Sequence, residues 1–168
     1  MNRSVPASIN VHGTCVALSC AGHTMGVLFQ GAPGTGKSSL ALRLIDQTGF
    51  GTGSAEPIQA CLISDDQVLL EEFDGVLTAT APDAIKGLLE VRGIGIIKVQ
   101  TSVSPVRVDM VITHATSSGI DRIPEPEVIE LAGLILPVHR IDLSSPLSAA
   151  QVRSLALIRW GLANLSIQ

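Results

Sequence analysis

An α/β domain with a strand-rich mixed sheet and few flanking helices is the fold class that this 168-residue sequence predicts, on three observations. Short apolar runs recur along the chain, bounded by Gly, Pro, Asp and Ser, which is the signature of strands separated by turns. Helical periodicity is confined to two segments, one at 38–47 and one opening at Ser148. An apolar run, Val27-Leu28-Phe29, leads directly into a glycine-rich loop and then into the first of those helices.

In chain order, Thr14–Cys20 and 24–30 read as a hairpin around Ala21, Gly22 and His23. Residues 38–47 place Leu40, Ala41, Leu44 and Ile45 on one helical face, and Gly49 follows in a position suited to a left-handed cap. Three glycines with Thr, Ser and Pro make 49–57 an exposed loop. Gln59–Ser64 is an apolar run ending on two aspartates, and 67–71 and Val76–Thr80 extend the sheet. A short helical turn is expected at 82–87, then a glycine-punctuated apolar stretch at 88–99 and a strand at 106–113. After a loop at 117–126, residues 128–138 return to strand and 144–146 form a break. Ser148 and Gln151 form an S-x-x-Q capping box, opening a helix to about Leu165 with Val152, Leu155, Leu162 and Leu165 inward. Strands outnumber helices, which excludes a doubly wound sheet, and no linker or repeat divides 1–168 into more than one domain.

Composition narrows the function. Apolar residues make up 46% and charged residues 15%, with mean hydropathy +0.43, so the chain is not a disordered one. A net charge of −4, three lysines and no tyrosine leave little for a nucleic-acid surface, which needs clustered cations and stacking platforms. No charged residue falls between Arg3 and Lys37, but Pro6, Asn10, His12, Gly13, Gly22 and His23 interrupt that stretch. It lacks the ~20 predominantly apolar residues of a membrane span. Cys15, Cys20 and Cys61 have no metal-ligand spacing and are odd in number, so free thiols in a reducing, cytoplasmic compartment are expected.

Three constellations carry chemistry. Gly31, Ala32, Pro33, Gly34, Thr35, Gly36, Lys37 and Ser38 match the G-x-x-x-x-G-K-[ST] phosphate loop. Its glycines let backbone N–H groups curl around phosphate oxygens, its lysine reaches the β/γ-phosphates and its serine hydroxyl ligates magnesium. Asp65 and Asp66, at the end of an apolar run, supply carboxylates for a magnesium shell or for a base that deprotonates a hydroxyl, and equally fit a solvated turn. In an extended segment Glu90 and Arg92 point to one side, as a phosphate-neutralising arginine with an acidic partner or as a structural ion pair. His12, beside Gly13, fits a structural role on residues alone.

Together, Val11-His12-Gly13, the phosphate loop, Leu62-Ile63-Ser64-Asp65-Asp66 and the stretch from Leu88-Leu89-Glu90-Val91-Arg92-Gly93-Ile94-Gly95 to Val99 resemble, in order and spacing, the catalytic domain of bacterial HPr kinase/phosphorylase. The resemblance runs from about Val11 to Val138. It implies a P-loop kinase fold of the phosphoenolpyruvate-carboxykinase-like type, and the length resembles the short alphaproteobacterial form, a catalytic core without the N-terminal domain of long members. The implied activity is ATP- and Mg2+-dependent phosphorylation of a serine on the phosphocarrier protein HPr, regulating the phosphotransferase system. The reverse reaction would be attack of inorganic phosphate on phosphoserine with release of pyrophosphate. By resemblance, 31–38 with Ser39 would bind the nucleotide phosphates and Asp65 would be the base. Ser38, Asp66 and Glu90 would serve magnesium, Arg92 would contact the phosphates, and His12 would sit near the phosphoryl acceptor. A homo-oligomer, a hexamer, is the implied assembly.

The chain also departs from the family pattern. Ser39 stands where the family usually has glutamate, the 49–57 loop is long enough to reshape the nucleotide entrance, and no glycine-arginine-asparagine motif follows Leu136-Pro137-Val138, leaving Arg140 as its substitute. Two further readings stay open from these features: a nucleotide-sensing module with little turnover, and a small-metabolite kinase, which normally carries an arginine-bearing lid.

Overall fold

The computed structural model describes residues 8–52, 54–102 and 105–163. Eleven strands and two α-helices are found among them: β1 Ser8–His12, β2 Thr14–Cys20, β3 His23–Gln30, α1 Lys37–Asp46, β4 Gln59–Ser64, β5 Gln67–Phe73, β6 Val76–Thr80, β7 Leu88–Val91, β8 Gly95–Lys98, β9 Val106–His114, β10 Glu127–Leu131, β11 Leu134–Ile141 and α2 Ser148–Trp160. The main sheet has the order β1-β5-β6-β9-β3-β2-β4, and β11 adds to the far end of β9 carrying β10 with it. It is mixed: β3, β9 and β11 run parallel, and the other pairs in it are antiparallel. The hairpin β7–β8 stands apart as a two-stranded ribbon.

The central strands are apolar on both faces, so their side chains serve two cores. Val16, Leu18, Val27, Phe29, Met110 and Ile112 meet α1 and α2 on one side. Cys15, Ala17, Leu28, Val108 and Val111 meet β5, β6 and the β10–β11 hairpin on the other. In β9 the inward parity changes at Asp109, where the register against β3 slips by one residue, as a β-bulge requires. The three cysteines are free, and burial pushes the Cys15 and Cys61 thiols up. No helix among the described residues is long and apolar enough to cross a membrane.

The strand-rich architecture matches the sequence reading, and four local expectations are corrected. Residues 128–138 form a hairpin, turning at Ala132 (φ 49°) and Gly133 (φ 80°), instead of one strand. With both positions left-handed this is a type I′ turn, and alanine is an unusual occupant of its first position. Gly49 caps no helix. It pairs with Ile58, and Gln47 ends α1 in an extended conformation. A side chain at 49 would meet the Arg153 guanidinium, which would have to move aside. The described residues of the 49–57 loop lie at the far end of α1 from the phosphate loop, packed on α2 through Gly51 against Leu157 and Thr52 N–H to Ser154 Oγ, and none of them lines the nucleotide entrance. Finally, Ser148 makes no capping box, because its hydroxyl faces back to the carbonyls of Ser145 and Leu143 at 2.8 and 3.2 Å. Helix α2 stops at Gly161, in the left-handed conformation, before Leu162; Leu165 lies outside the described residues.

Candidate active site

The carboxyl ends of β3, β4, β9 and β11 converge on one edge of the sheet, the usual place for a ligand crevice in α/β proteins. The β1–β2 junction at Gly13 brings His12 and Thr14 to the same edge. A cavity of about 670 Å³ opens there. The phosphate loop forms its floor: Gly34 (φ 81°) and Gly36 (φ 101°) take left-handed conformations that L side chains disfavour, and Gly36 is the N-cap of α1. Lys37 folds back over the loop, its Nζ donating to the carbonyls of Gly31 and Ala32 at 2.8 and 3.0 Å. Burial pushes its ammonium below the usual lysine range, and the nearby carboxylates of Asp65 and Asp66 oppose that shift.

The two adjacent aspartates have opposite surroundings. Asp65 is 7% exposed, and its Oδ1 accepts two hydroxyls, Thr14 Oγ1 at 2.7 Å and Ser38 Oγ at 2.8 Å. Its Oδ2 lies 3.4 Å from the Glu90 backbone N–H. Asp66 takes φ 70°, a left-handed residue that aspartate tolerates better than most, and this rotates its carboxylate outward. There the side chain is 70% exposed and 3.3 Å from His12 Nδ1. Gly13 N–H donates to the Asp66 carbonyl at 3.1 Å, tying the β4–β5 turn to the β1–β2 junction.

The fourth wall is the β7–β8 ribbon. Arg92 is not in a strand with Glu90, as its i, i+2 spacing led one to expect, but in the turn between the strands. Its guanidinium nevertheless reaches the crown of the phosphate loop, where a Cβ on Gly34 would lie 3.3 Å from Nη2. Every residue singled out in the sequence constellations therefore borders this cavity or its loop, with the exception of Arg140. That side chain points away, held bidentately by Glu127 at 2.7 and 2.9 Å and lining a separate groove between β11 and α2. Four site residues escape a reading of the sequence: Thr14, whose partner is 51 positions away, Arg43, on the same face of α1 as Ser39 one turn earlier, and Ser144 and Pro146, which the sequence shows only as a break.

Magnesium suits the donor set. Hard oxygen atoms of Ser38 and Asp65 lie side by side at the start of α1, with Glu90 on the same cavity. A magnesium ion takes one or two carboxylates and completes its octahedron with phosphate and water oxygens. Correspondingly, the described residues hold no cage of three or more acidic, histidine or cysteine side chains.

A strand, a phosphate loop and a helix, with a buried carboxylate on another strand receiving the loop serine, define a P-loop kinase fold. The family model described as "HPr Serine kinase C-terminal domain" matches residues 3–113, and the chain belongs to that family. Curated relatives include the HPr kinase/phosphorylases of Exiguobacterium sibiricum, 30% identical over 168 residues (94% of this chain, 49% of the relative), and Xanthomonas campestris pv. campestris, 30% identical over 175 residues (98% and 50%). The chain thus spans about half the length of these relatives. Among solved structures, the Hpr(Ser) kinase/phosphatase from Coxiella burnetii superposes with a TM-score of 0.71 at 21% identity, over 92% of this chain and 98% of that one.

Proposed function

We propose that this chain is a protein-serine kinase that transfers the γ-phosphoryl group of ATP, with Mg2+, to a serine of an HPr-type phosphocarrier in the cytoplasm. The observation that carries the reading is the division of labour between Asp65 and Asp66 above a complete phosphate loop. The loop N–H groups, the start of α1 and Lys37 take the β/γ-phosphates. Ser38 and Asp65, with Glu90 beside them, would hold magnesium, which when bound neutralises charge on the phosphate oxygens. Arg92, over the loop crown, adds a fixed cation where charge builds during transfer.

These surroundings favour the opposite assignment of the two aspartates from the one the family resemblance implies. Asp65 Oδ1 is already committed to two hydroxyl donors in a buried setting, a poor position from which to take a proton. Asp66 is open to the cavity and steadied by His12, so Asp66 accepts the proton of the incoming serine and His12 orients its carboxylate. The same carboxylic acid returns the proton to serine if inorganic phosphate attacks phosphoserine and pyrophosphate leaves. A homo-oligomer, a hexamer in the resemblance, is the assembly proposed with it.

The test is transfer of label from γ-labelled ATP to HPr with magnesium, with and without inorganic phosphate. The proposal expects label on an HPr serine, a loss of about 100-fold or more for Asp66→Asn with ATP binding retained, and magnesium-dependent ATP binding lost in Asp65→Asn. A folded protein that transfers nothing overturns the kinase; nucleotide-dependent HPr binding without transfer would then identify a sensing module. Full rate in Asp66→Asn overturns the base assignment.

A further inference from the structure

The cavity has two ends, and the chemistry of in-line transfer tells them apart. On the proposed function His12 and Asp66, both on the cavity wall, mark the acceptor end, and the γ-phosphate would lie between them and the phosphate loop. Because attacking and leaving oxygens lie roughly in line across the transferred group, the rest of the nucleotide must extend to the other end. Apart from the phosphate loop and the β7–β8 ribbon, the lining residues that no contact ties to His12, Asp66 or the adjoining Asp65 are Ser39 and Arg43 of α1 and Ser144 and Pro146 of the turn linking β11 to α2, and this group is the other end.

The turn is held from several sides. Arg43 Nη1 donates to the Ser145 carbonyl at 2.9 Å, and Nη2 donates to the Leu143 carbonyl and Ser148 Oγ, each at 2.9 Å. The Leu143 N–H donates to His114 Nδ1 at 3.3 Å, so the end of β9 grips the same segment. Asp142 collects Ser144 N–H and Oγ on Oδ1, at 3.1 and 2.6 Å, and Ser117 Oγ on Oδ2 at 2.7 Å. The turn also lies directly against the phosphate loop: a Cβ on Gly36 would be 3.4 Å from Leu143 and Ser144 backbone atoms. Three charge-assisted bonds from one guanidinium are a costly fixture for a surface turn unless its position matters.

We infer that the 142–148 turn, clamped by Arg43, is the subsite for the nucleoside end of the nucleotide, and that Arg43 is its positioning residue. This rests on the proposed nucleotide site. Ser39 offers a hydroxyl of the kind that pairs with ribose or an α-phosphate, Ser144 Oγ, whose proton goes to Asp142, offers lone pairs to a ribose hydroxyl, and Pro146 offers an apolar face of the kind that a base covers. The phosphates themselves depend on the loop and not on Arg43, whose guanidinium is committed to the turn.

Binding of two magnesium complexes separates these roles: ATP, and inorganic tripolyphosphate, which has the phosphates without the nucleoside. Titration calorimetry should show wild-type protein binding both, with ATP the tighter. Arg43→Met should weaken ATP by about tenfold, the loss of roughly one charge-assisted bond's worth of order, and leave tripolyphosphate unchanged; in transfer assays KM for ATP should rise with kcat nearly constant. Ser144→Leu, at an exposed position, gives up the hydroxyl bond to Asp142 but leaves the three Arg43 contacts in place; it should show the same split and decides the matter if Arg43→Met does not fold. Parallel losses for both ligands in these variants, or no loss for ATP in either, overturn the inference while leaving the nucleotide site standing. Wild-type protein that binds neither ligand overturns the site and the inference together.

Discussion

Replacing Thr14 by valine removes the hydroxyl that donates 2.7 Å to Asp65 Oδ1 and keeps the shape of the side chain. Both partners are buried, Thr14 completely and Asp65 to 7% exposure, so water cannot replace the lost donor. A hydrogen bond to a charged group is worth about 2 kcal/mol, and the methyl that replaces the hydroxyl returns roughly 0.8 kcal/mol by its burial. The net loss is about 1–1.5 kcal/mol, which lowers the melting temperature of a domain this size by roughly 2–6 °C. Thr14→Ser keeps the donor and should hold Asp65 in place at the cost of one methyl. Thermal melts of Thr14→Val, Asp65→Asn and the double variant give the coupling directly. A coupling energy below about 0.5 kcal/mol, or a Thr14→Val variant as stable as its parent, would refute the claim that this hydroxyl fixes the carboxylate.

Two further outcomes follow from packing and burial. Gly13→Ala would place a Cβ 2.7 Å from the Phe29 carbonyl and 3.2 Å from Leu28 Cδ1, so it should destabilise by about 2 kcal/mol through overpacking. It should also slow transfer, because Gly13 holds the Asp66 backbone; unchanged denaturant midpoint and rate would show that the strand shifts freely. His139 has a buried Nε2 without a hydrogen-bond partner among the described residues, and burial, then the Arg159 charge, holds its imidazole below the usual histidine range. The unfolded chain therefore binds more protons as pH falls through about 6.5, and stability present above that value is lost below it. His139→Leu should flatten this dependence in urea titrations from about pH 5 to pH 8; an equally steep profile would place the titration elsewhere.

What was legible in the sequence was local. The β2–β3 hairpin showed itself because apolar alternation and a Gly-containing turn fall within seventeen residues of one another at 14–30, and the phosphate loop because its geometry depends on consecutive residues. Where one residue type serves two purposes the reading slipped. Ser148 has the spacing of a cap, yet its hydroxyl is taken by the turn before it and by Arg43. The Ala132-Gly133 turn has the same residues and nearly the same φ angles as Ala21-Gly22, but it lies inside an apolar run at 128–138 that reads as one strand. Thr14 and Arg43 were hidden for a different reason. Their partners are 51 and at least 100 positions away, and only the sheet order brings them together.

The same distinction explains how neighbouring aspartates come to differ. Side-chain alternation would by itself put Asp65 and Asp66 on opposite sides of a strand, but here the strand has ended and a turn decides. The left-handed backbone at Asp66 costs strain, of order 1–2 kcal/mol, and two contacts from outside the turn stabilise it: the Gly13 N–H on its carbonyl and the His12 ring beside its carboxylate. Both come from the β1–β2 junction, whose register against β5 and β3 is set by apolar pairs such as Val11 with Val68 and Val16 with Val27. The hydrophobic register of the sheet thus fixes which carboxylate faces the loop serine and which faces the cavity. A one-residue slip of β1 would move His12 away from Asp66 and turn Val11 out of its core, so the packing that stabilises the fold also keeps the imidazole beside the exposed carboxylate.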